Sequence, residues 1–341
     1  MNKTLSISIA AYNAEKDISR CLESFIKSKV LDDLDIIVVN DGSVDKTSEI
    51  ASKFACKYPN SIRVINKENG GHGSTINVGI DNAKGKFFKI VDSDDWVNVE
   101  GIENLVTFLK TSDVDLVFNQ YYKISYENLN IIDLIDCKPS NTSYDRVYSI
   151  ENLNGNEDIR MHTITYKTEV IKKVGPIIDE NCFYVDMEYC IYPLIYVNNY
   201  VYLNFPVYNY LLGSQNQSVS LTSVIKRRNE HKKVIVSLVL YYKRKFQDKC
   251  NNLKSVVQET IFKTIEIQFI IYIKMNSKQG KNELLSFVTQ LNDLEFDYQI
   301  SSTTLFRKLY WKFFKICNFH FYLLFCFIFE LPKFIKLITR K

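Results

Sequence analysis

Short apolar runs alternate with stretches of helical spacing through the first quarter of the chain. Leu5–Ala11 is an isoleucine-rich run that predicts a strand, closed by Tyr12 and Asn13. Ile18, Cys21, Leu22, Phe25 and Ile26 then recur at the spacing of one helix face, with Asn13 as the expected N-cap. The unbroken run 36–39 predicts a strand buried on both faces, ending in Asn40-Asp41-Gly42-Ser43. A second helix follows, with Ile50, Ala51, Phe54 and Ala55 facing inward. Residues 62–65 predict a third strand, 69–74 a glycine-rich loop and 75–83 a helix. The run 87–91 predicts a fourth strand, which leads into Asp92-Ser93-Asp94-Asp95 and Trp96.

This β-α-β-α-β-α-β order implies parallel strands joined by right-handed helical crossovers. Every polar cluster falls where a strand ends: Tyr12 and Asn13, Asp41, the glycine-rich loop, and residues 92–95. In a parallel sheet those ends share one edge, which is where ligands bind in open α/β sheets. Packed carboxylates repel, and a hard divalent cation such as Mg²⁺ or Mn²⁺ is their natural partner. Such an ion would carry substrate phosphates as further ligands. The plainer alternative is a solvated acidic turn that caps the next helix. Gly70-Gly71-His72-Gly73 is neither G-x-G-x-x-G nor a Walker sequence, so it predicts no dinucleotide fold. Its glycines suit either backbone N–H contacts to phosphate near a helix start, or a flexible turn with a helix cap at Ser74. His72 suits either a ligand contact or a structural loop position.

Farther along, 114–121 predicts a strand, and 127–156 is polar, Asn-rich and irregular, an expected insertion or acceptor-facing region. A strand is expected at 164–167, then a short helix over 169–174 closed by Gly175-Pro176. Helical spacing over 184–195 is followed by strands at 201–203 and 206–210. From Val224 the pattern turns helical, with long helices expected over 227–246 and 253–275 and a third over 284–291. Residues 305–341 are aromatic and basic. Their longest apolar run, 319–331, is too short for the roughly 20 residues that a spanning helix needs. Basic residues among aromatics fit a helix lying on an anionic membrane surface; a core or dimer helix is the alternative.

Composition adds bounds. With 341 residues and 46% hydrophobic content, the chain can bury a large core. A net charge of +4 makes no global case for nucleic acid. The eight cysteines form no C-x-x-C pair and no zinc-like cluster, and the amino terminus lacks signal-peptide features, so the cytoplasm is expected.

Four segments together resemble the family 2 glycosyltransferases, which have the GT-A fold. They are Ser6-Ile7-Ser8-Ile9-Ala10-Ala11-Tyr12-Asn13-Ala14-Glu15, Val39-Asn40-Asp41-Gly42-Ser43, Asn69-Gly70-Gly71 with Asn77-Val78-Gly79, and Asp92-Ser93-Asp94-Asp95. The resemblance is strong over 4–120, weaker to about 220, and absent from the tail. It implies a metal-dependent enzyme that uses a nucleotide sugar, most often a UDP-sugar. Tyr12 would flank the base, Glu15 and Asp41 would hold base and ribose, and Asp92 would lie near ribose and donor sugar. Asp94 would bind the Mn²⁺ or Mg²⁺ that bridges the diphosphate. Ala10, Asn69, Gly71, Asn77 and Ser93 complete the implied donor set. Where the family often has Pro this chain has Ala10, and where it often has Arg this chain has Ile76; Lys67, His72 or a later residue would then meet the diphosphate.

The family's Glu-Asp pair corresponds to Val185-Asp186, which makes Asp186 the implied base for the acceptor hydroxyl and Glu188 the reserve. An acid at a helix start favoured by the dipole is the plainer reading of Asp186. Residues 211–220 resemble the family's closing loop without the Q-x-x-R-W of processive synthases, so single-sugar addition is expected. The expected organisation is a GT-A domain over 1–220, with a donor half to 120 and an acceptor-side half beyond it. A helical extension over 221–304 and a membrane-associating tail over 305–341 follow. The implied activity is inverting hexosyl or N-acetylhexosaminyl transfer in cell-surface glycan biosynthesis, to a polysaccharide, glycan or lipid-linked acceptor. The expected location is the inner face of the cell membrane, held there peripherally. A non-catalytic nucleotide-sugar binder and a sugar nucleotidyltransferase of related fold are the alternatives.

Overall fold

The computed structural model describes residues 3–153, 159–175, 177–213 and 220–297. The described chain divides into two compact units. One contains the residues up to 213 together with Lys249–Leu253, and the other contains 220–248 and 254–297.

The first unit is a mixed α/β sheet. Its opening follows the predicted alternation: β1 (Leu5–Ala11), α1 (Ile18–Ile26), β2 (Leu34–Asp41), α2 (Thr47–Lys57), β3 (Ile62–Lys67), α3 (Gly71–Asn82) and β4 (Phe87–Asp92). These strands lie in the order β3-β2-β1-β4, all parallel. Every residue of β2 is buried, as expected for a strand flanked on both sides and covered on both faces. Two local expectations change. α3 begins at Gly71, so Ser74 lies inside the helix, not at its cap. Asn13 does not cap α1, whose N-cap is Asp17; it takes a left-handed φ of 51° and its Oδ1 accepts from the Val44 N–H.

Beyond β4 come β5 (Trp96–Val97), α4 (Val99–Thr111), β6 (Leu116–Ser125), β7 (Ile131–Ile135), β8 (Val147–Ser149) and β9 (Ile164–Lys167). Then follow α5 (Thr168–Lys172), α6 (Asp186–Ile191) and β10 (Asn199–Leu212). The region expected to be irregular thus contains two strands, β7 antiparallel to β6 and β8 antiparallel to β10. Their side chains are mostly exposed, so no two-residue burial period marked them. The two strands expected at 201–203 and 206–210 are one, β10, with register shifts around Pro206. Proline lacks a ladder N–H and sits at such irregularities.

β9 joins the halves by pairing antiparallel with both β4 and β6. Its ladder with β4 covers only Phe87 and Phe88. Next in β4 is Lys89, which is fully buried; its Nζ donates to the carbonyls of His162 at 2.8 Å and Ile164 at 3.0 Å. Burial lowers this ammonium to about 7.

The second unit is helical: α7 (Leu221–Lys226), α8 (Arg228–Lys245), α9 (Asn251–Lys274, which begins in the first unit) and α10 (Lys278–Asp293). Arg228 holds Glu283 through two hydrogen bonds of 2.6 and 2.8 Å. No helix among the described residues is long and apolar enough to cross a membrane. The expected tail at 305–341 lies outside the described residues.

Candidate active site

β4 ends in a tight turn, with the Asp95 N–H donating to the Asp92 carbonyl at 3.1 Å. Carboxylate oxygens of Asp92, Asp94 and Asp95 lie within 4.8 Å of one another. Asp95 is committed: it accepts from the Tyr208 hydroxyl at 2.6 Å and the Leu211 N–H at 2.8 Å. The same hydroxyl accepts from the Asp92 N–H at 3.1 Å. Asp95 therefore ties β10 to the turn and leaves Asp92 and Asp94 for a ligand. Arg20 braces the turn from α1, donating from Nη2 to the Asp94 carbonyl at 2.7 Å and to Asp17 at 2.7 Å, with its guanidinium 4.7 Å above the Trp96 ring.

The electrostatics are those of crowded acids. Burial, then Asp92, pushes the Asp94 carboxyl up to about 6. Burial drives Asp95 well above the usual carboxylate range, with Asp94 and Asp92 adding to the rise. Asp92 goes the other way: burial opposes its charge, but His72 beside it, with help from His162, holds it low. Oxygen donors in this number, short of positive charge, fit a hard divalent cation.

Asp41 presents the opposite environment. Its Oδ1 accepts from Lys67 Nζ at 2.7 Å and the Gly70 N–H at 2.9 Å, and its Oδ2 from the Gly71 N–H at 2.8 Å. An internal carboxylate thus fills the start of α3, where a phosphate was one expectation. The glycine-rich loop has a different use. A Cβ on Gly73 would stand 1.9 Å from the Asp179 carbonyl oxygen, so the segment before α6 packs directly on this loop. The Asn181 N–H donates to the Gly70 carbonyl at 2.6 Å, and Asn77 Nδ2 donates to the Ile178 carbonyl at 3.0 Å and to Glu180 at 3.1 Å. The loop and α3 form the bed for residues 178–182.

That segment delivers Asp186, the first residue of α6. Asn181 and Tyr184, at φ 53° and 69°, hold left-handed conformations just before it, a strain that tertiary packing must maintain. Val185 is wholly buried, so the family's glutamate position faces the core here. Glu188 is wholly buried too, accepting from the Asp179 N–H at 2.7 Å and the Tyr192 hydroxyl at 3.0 Å. With both carboxylate oxygens engaged, Glu188 anchors the segment. Asp186 is half-buried. Burial raises its carboxyl, His72 opposes the rise, and Asp92 adds to it, so Asp186 shares the field of the turn. His72 Nε2 lies 3.4 Å from Asp92 Oδ1. Tyr210, on β10, is raised by burial and by Asp95, Asp92, Asp94 and Asp186, which places its phenol by the same group.

Sequence reasoning singled out neither Tyr210 nor Arg20. Tyr210 stood inside an expected strand, but no local pattern separates a site tyrosine from a core one. Arg20 lies 74 residues from its acceptor.

Among the remaining expected donor residues, Tyr12 is 53% exposed. Glu15 is exposed and accepts from the Lys46 N–H at 3.1 Å, one of several bonds that join the loops after β1 and β2. Ala10 pairs with Asp92 across the β1–β4 ladder. Ser93 is buried inside the turn. Asn69 is exposed, and its side-chain amide donates to the Asp41 carbonyl at 2.9 Å. Ile76 is 1% exposed, so the place of the family's arginine belongs to the core. The structure thus gathers His72, Asp92, Asp94, Asp186 and Tyr210, while Asp41, Asn77 and Glu188 hold the scaffold around them.

Residues 6–172 match the family model "Glycosyl transferase family 2". The chain belongs to the family 2 glycosyltransferases. It is 37% identical over 123 residues to the glycosyltransferase GlyG of Streptococcus pneumoniae, a match that covers 36% of this chain and 40% of that protein. It is 30% identical over 220 residues to the teichoic acid poly(glycerol phosphate) polymerase of Staphylococcus epidermidis, covering 61% of this chain and 28% of that one. The chain therefore spans well under two thirds of the length of these relatives. Among solved structures, S. aureus TarS 1-349 in complex with UDP-GlcNAc superposes with a TM-score of 0.60 at 17% identity, covering 85% of this chain and 80% of that one. At that identity the likeness establishes the fold, and it is the GT-A fold of TarS, with a helical unit after it.

Proposed function

We propose that this chain is an inverting, metal-dependent glycosyltransferase. It moves one sugar from a nucleotide sugar of the UDP class to a hydroxyl of a polysaccharide, glycan or lipid-linked acceptor in cell-surface glycan assembly. The observation that carries this reading is the cluster of Asp92, Asp94 and Asp95 at the carboxyl edge of a parallel sheet, beside a glycine-rich loop on which the segment leading to Asp186 packs. UDP-GlcNAc and UDP complexes of TarS support the donor class.

Asp94, with Asp92 beside it, would hold Mn²⁺ or Mg²⁺, which when bound offsets the charge of the diphosphate. Tyr12 offers the base an aromatic face and Glu15 offers acceptors to base and ribose, while Asp41 holds the start of α3 and its loop in place. Ala10, Ser93, Asn69, Gly71 and Asn77 shape the donor's bed through backbone position and loop contacts. Asp186 takes the proton of the acceptor hydroxyl as that oxygen bonds to the anomeric carbon. The bond from that carbon to the phosphate oxygen breaks, and the nucleoside diphosphate leaves with the electron pair. Attack opposite the leaving group inverts the carbon. The elevated basicity that burial confers on Asp186 suits the proton transfer. The basic, aromatic tail completes the reading by keeping the enzyme peripheral at the inner membrane face, near a lipid-borne acceptor.

Product analysis with nucleotide sugars, with and without Mn²⁺, tests the reading. Metal-dependent release of UDP with a glycosylated product supports it. Pyrophosphate release would make the chain a nucleotidyltransferase, and binding without turnover would make it a non-catalytic binder.

A further inference from the structure

A sugar nucleotide brings two phosphates into the site, and the chain's own donors near them are mostly spent. Lys67 Nζ is committed to Asp41 at 2.7 Å and Ser74 at 2.9 Å. The Gly70 and Gly71 N–H groups are committed to Asp41. Arg20 Nη2 serves the Asp94 carbonyl and Asp17. Lys89 serves two carbonyls within the sheet. Arg20 Nε is also buried without a hydrogen-bond partner, but it lies on the α1 side of the turn; His72 is the unspent donor that stands against Asp92. Its Nε2 is buried and has no hydrogen-bond partner among the described residues. It stands 3.4 Å from Asp92 Oδ1, near enough for attraction but too long a contact to satisfy the nitrogen well. A buried N–H without an acceptor is a cost that native structures rarely carry without use. An imidazole with its proton on Nε2 donates from that atom whether or not the ring is charged.

The position also says which phosphate is concerned. His72 stands against Asp92, and the loop on either side of it packs on residues 179–182, which lead into Asp186. Under the proposed function, which this inference rests on, Asp186 works at the anomeric carbon. The group beside both carboxylates is therefore near the phosphate that bears the sugar. We propose that the His72 Nε2–H is a donor-contact group, hydrogen-bonding an oxygen of the sugar-bearing phosphate in a site whose α3 start and Ile76 position offer no such contact. The contact strengthens as charge grows on that phosphate during bond breaking, so it serves turnover as well as binding.

The test is titration calorimetry of the full chain in Mn²⁺ with UDP and with UMP, which lacks the second phosphate. His72→Leu keeps bulk without a donor; His72→Gln keeps an N–H at similar reach. His72→Leu is expected to weaken UDP by about tenfold to a hundredfold and UMP by less than about twofold, the worth of one charge-assisted hydrogen bond. His72→Gln is expected to recover most of the loss. An unchanged UDP-to-UMP ratio in His72→Leu, or equal behaviour of the Leu and Gln variants, overturns the contact alone. A wild-type chain that binds neither nucleotide with Mn²⁺ overturns the contact and the glycosyltransferase reading together.

Discussion

Asp41 and Asp94 begin from similar local sequence and end in opposite environments. Each follows an apolar strand beside β1, in Asn40-Asp41-Gly42-Ser43 and Asp92-Ser93-Asp94-Asp95. Asp41 is met by an ammonium and two backbone N–H groups. Asp94 is met by two further carboxylates and is pushed up to about 6 by burial and by Asp92. One strand end is electrostatically complete, and at the other three acids outnumber the positive groups beside them, Arg20 and His72. A carboxylate that the fold has already neutralised organises the scaffold, whereas one that the fold leaves among like charges is available to a cation. Position at a strand end does not distinguish the two.

The strongest way to break this contrast is to remove the uncompensated acid. Asp94→Ala should abolish metal-dependent binding of the nucleotide sugar, as read by thermal stabilisation with and without Mn²⁺, while the fold persists. Undiminished donor affinity, or full turnover in excess chelator, would sink the metal assignment. Next is the acid across the site. Asp186→Asn keeps shape and removes the proton acceptor, so turnover should fall at least about a hundredfold with donor affinity retained. Glu188→Gln should leave turnover comparatively intact; the reverse ranking would show that Glu188 is the base.

The compensated acid should fail differently. Asp41→Asn leaves Lys67 without its carboxylate and two N–H groups with a poorer acceptor. It should cost about 2 kcal/mol of stability, measured by denaturant unfolding. Loss of donor binding at unchanged stability would instead make Asp41 a direct donor contact. The smallest effect on either strand end should come from the tail. Truncation before Leu305 removes Arg307, Lys308, Lys312, Lys315, Lys333, Lys336, Arg340 and Lys341 with Glu330 as the lone acid. Donor binding should persist while sedimentation with anionic liposomes is lost. Unfolding would place the segment in the core, and retained liposome binding would move the membrane contact elsewhere.

Much of the donor half was legible because its signals are local. Apolar runs and helical spacing located β1 to β4 and the helices between them, and the parallel order followed from the crossovers. The acceptor-side half was less legible. β7 and β8 are mostly exposed, so burial left no alternating imprint on their sequence. β10 reads as two strands because Pro206 interrupts a ladder that resumes after a register shift.

The sequence by itself determined that acids, an aromatic and a glycine-rich loop would meet along one sheet edge. Periodicity sets strand and helix, and crossover handedness does the rest. Tertiary structure alone decided which of those groups remain available. Lys67 crosses to Asp41, Tyr208 reaches Asp95, and Asp179 turns back to Glu188, each through bonds set by packing. Those partners neutralise some acids and leave Asp92, Asp94 and Asp186 around His72. A carboxylate's chemistry depends on the donors and charges within a few ångströms, and that neighbourhood is assembled from residues far apart in the chain.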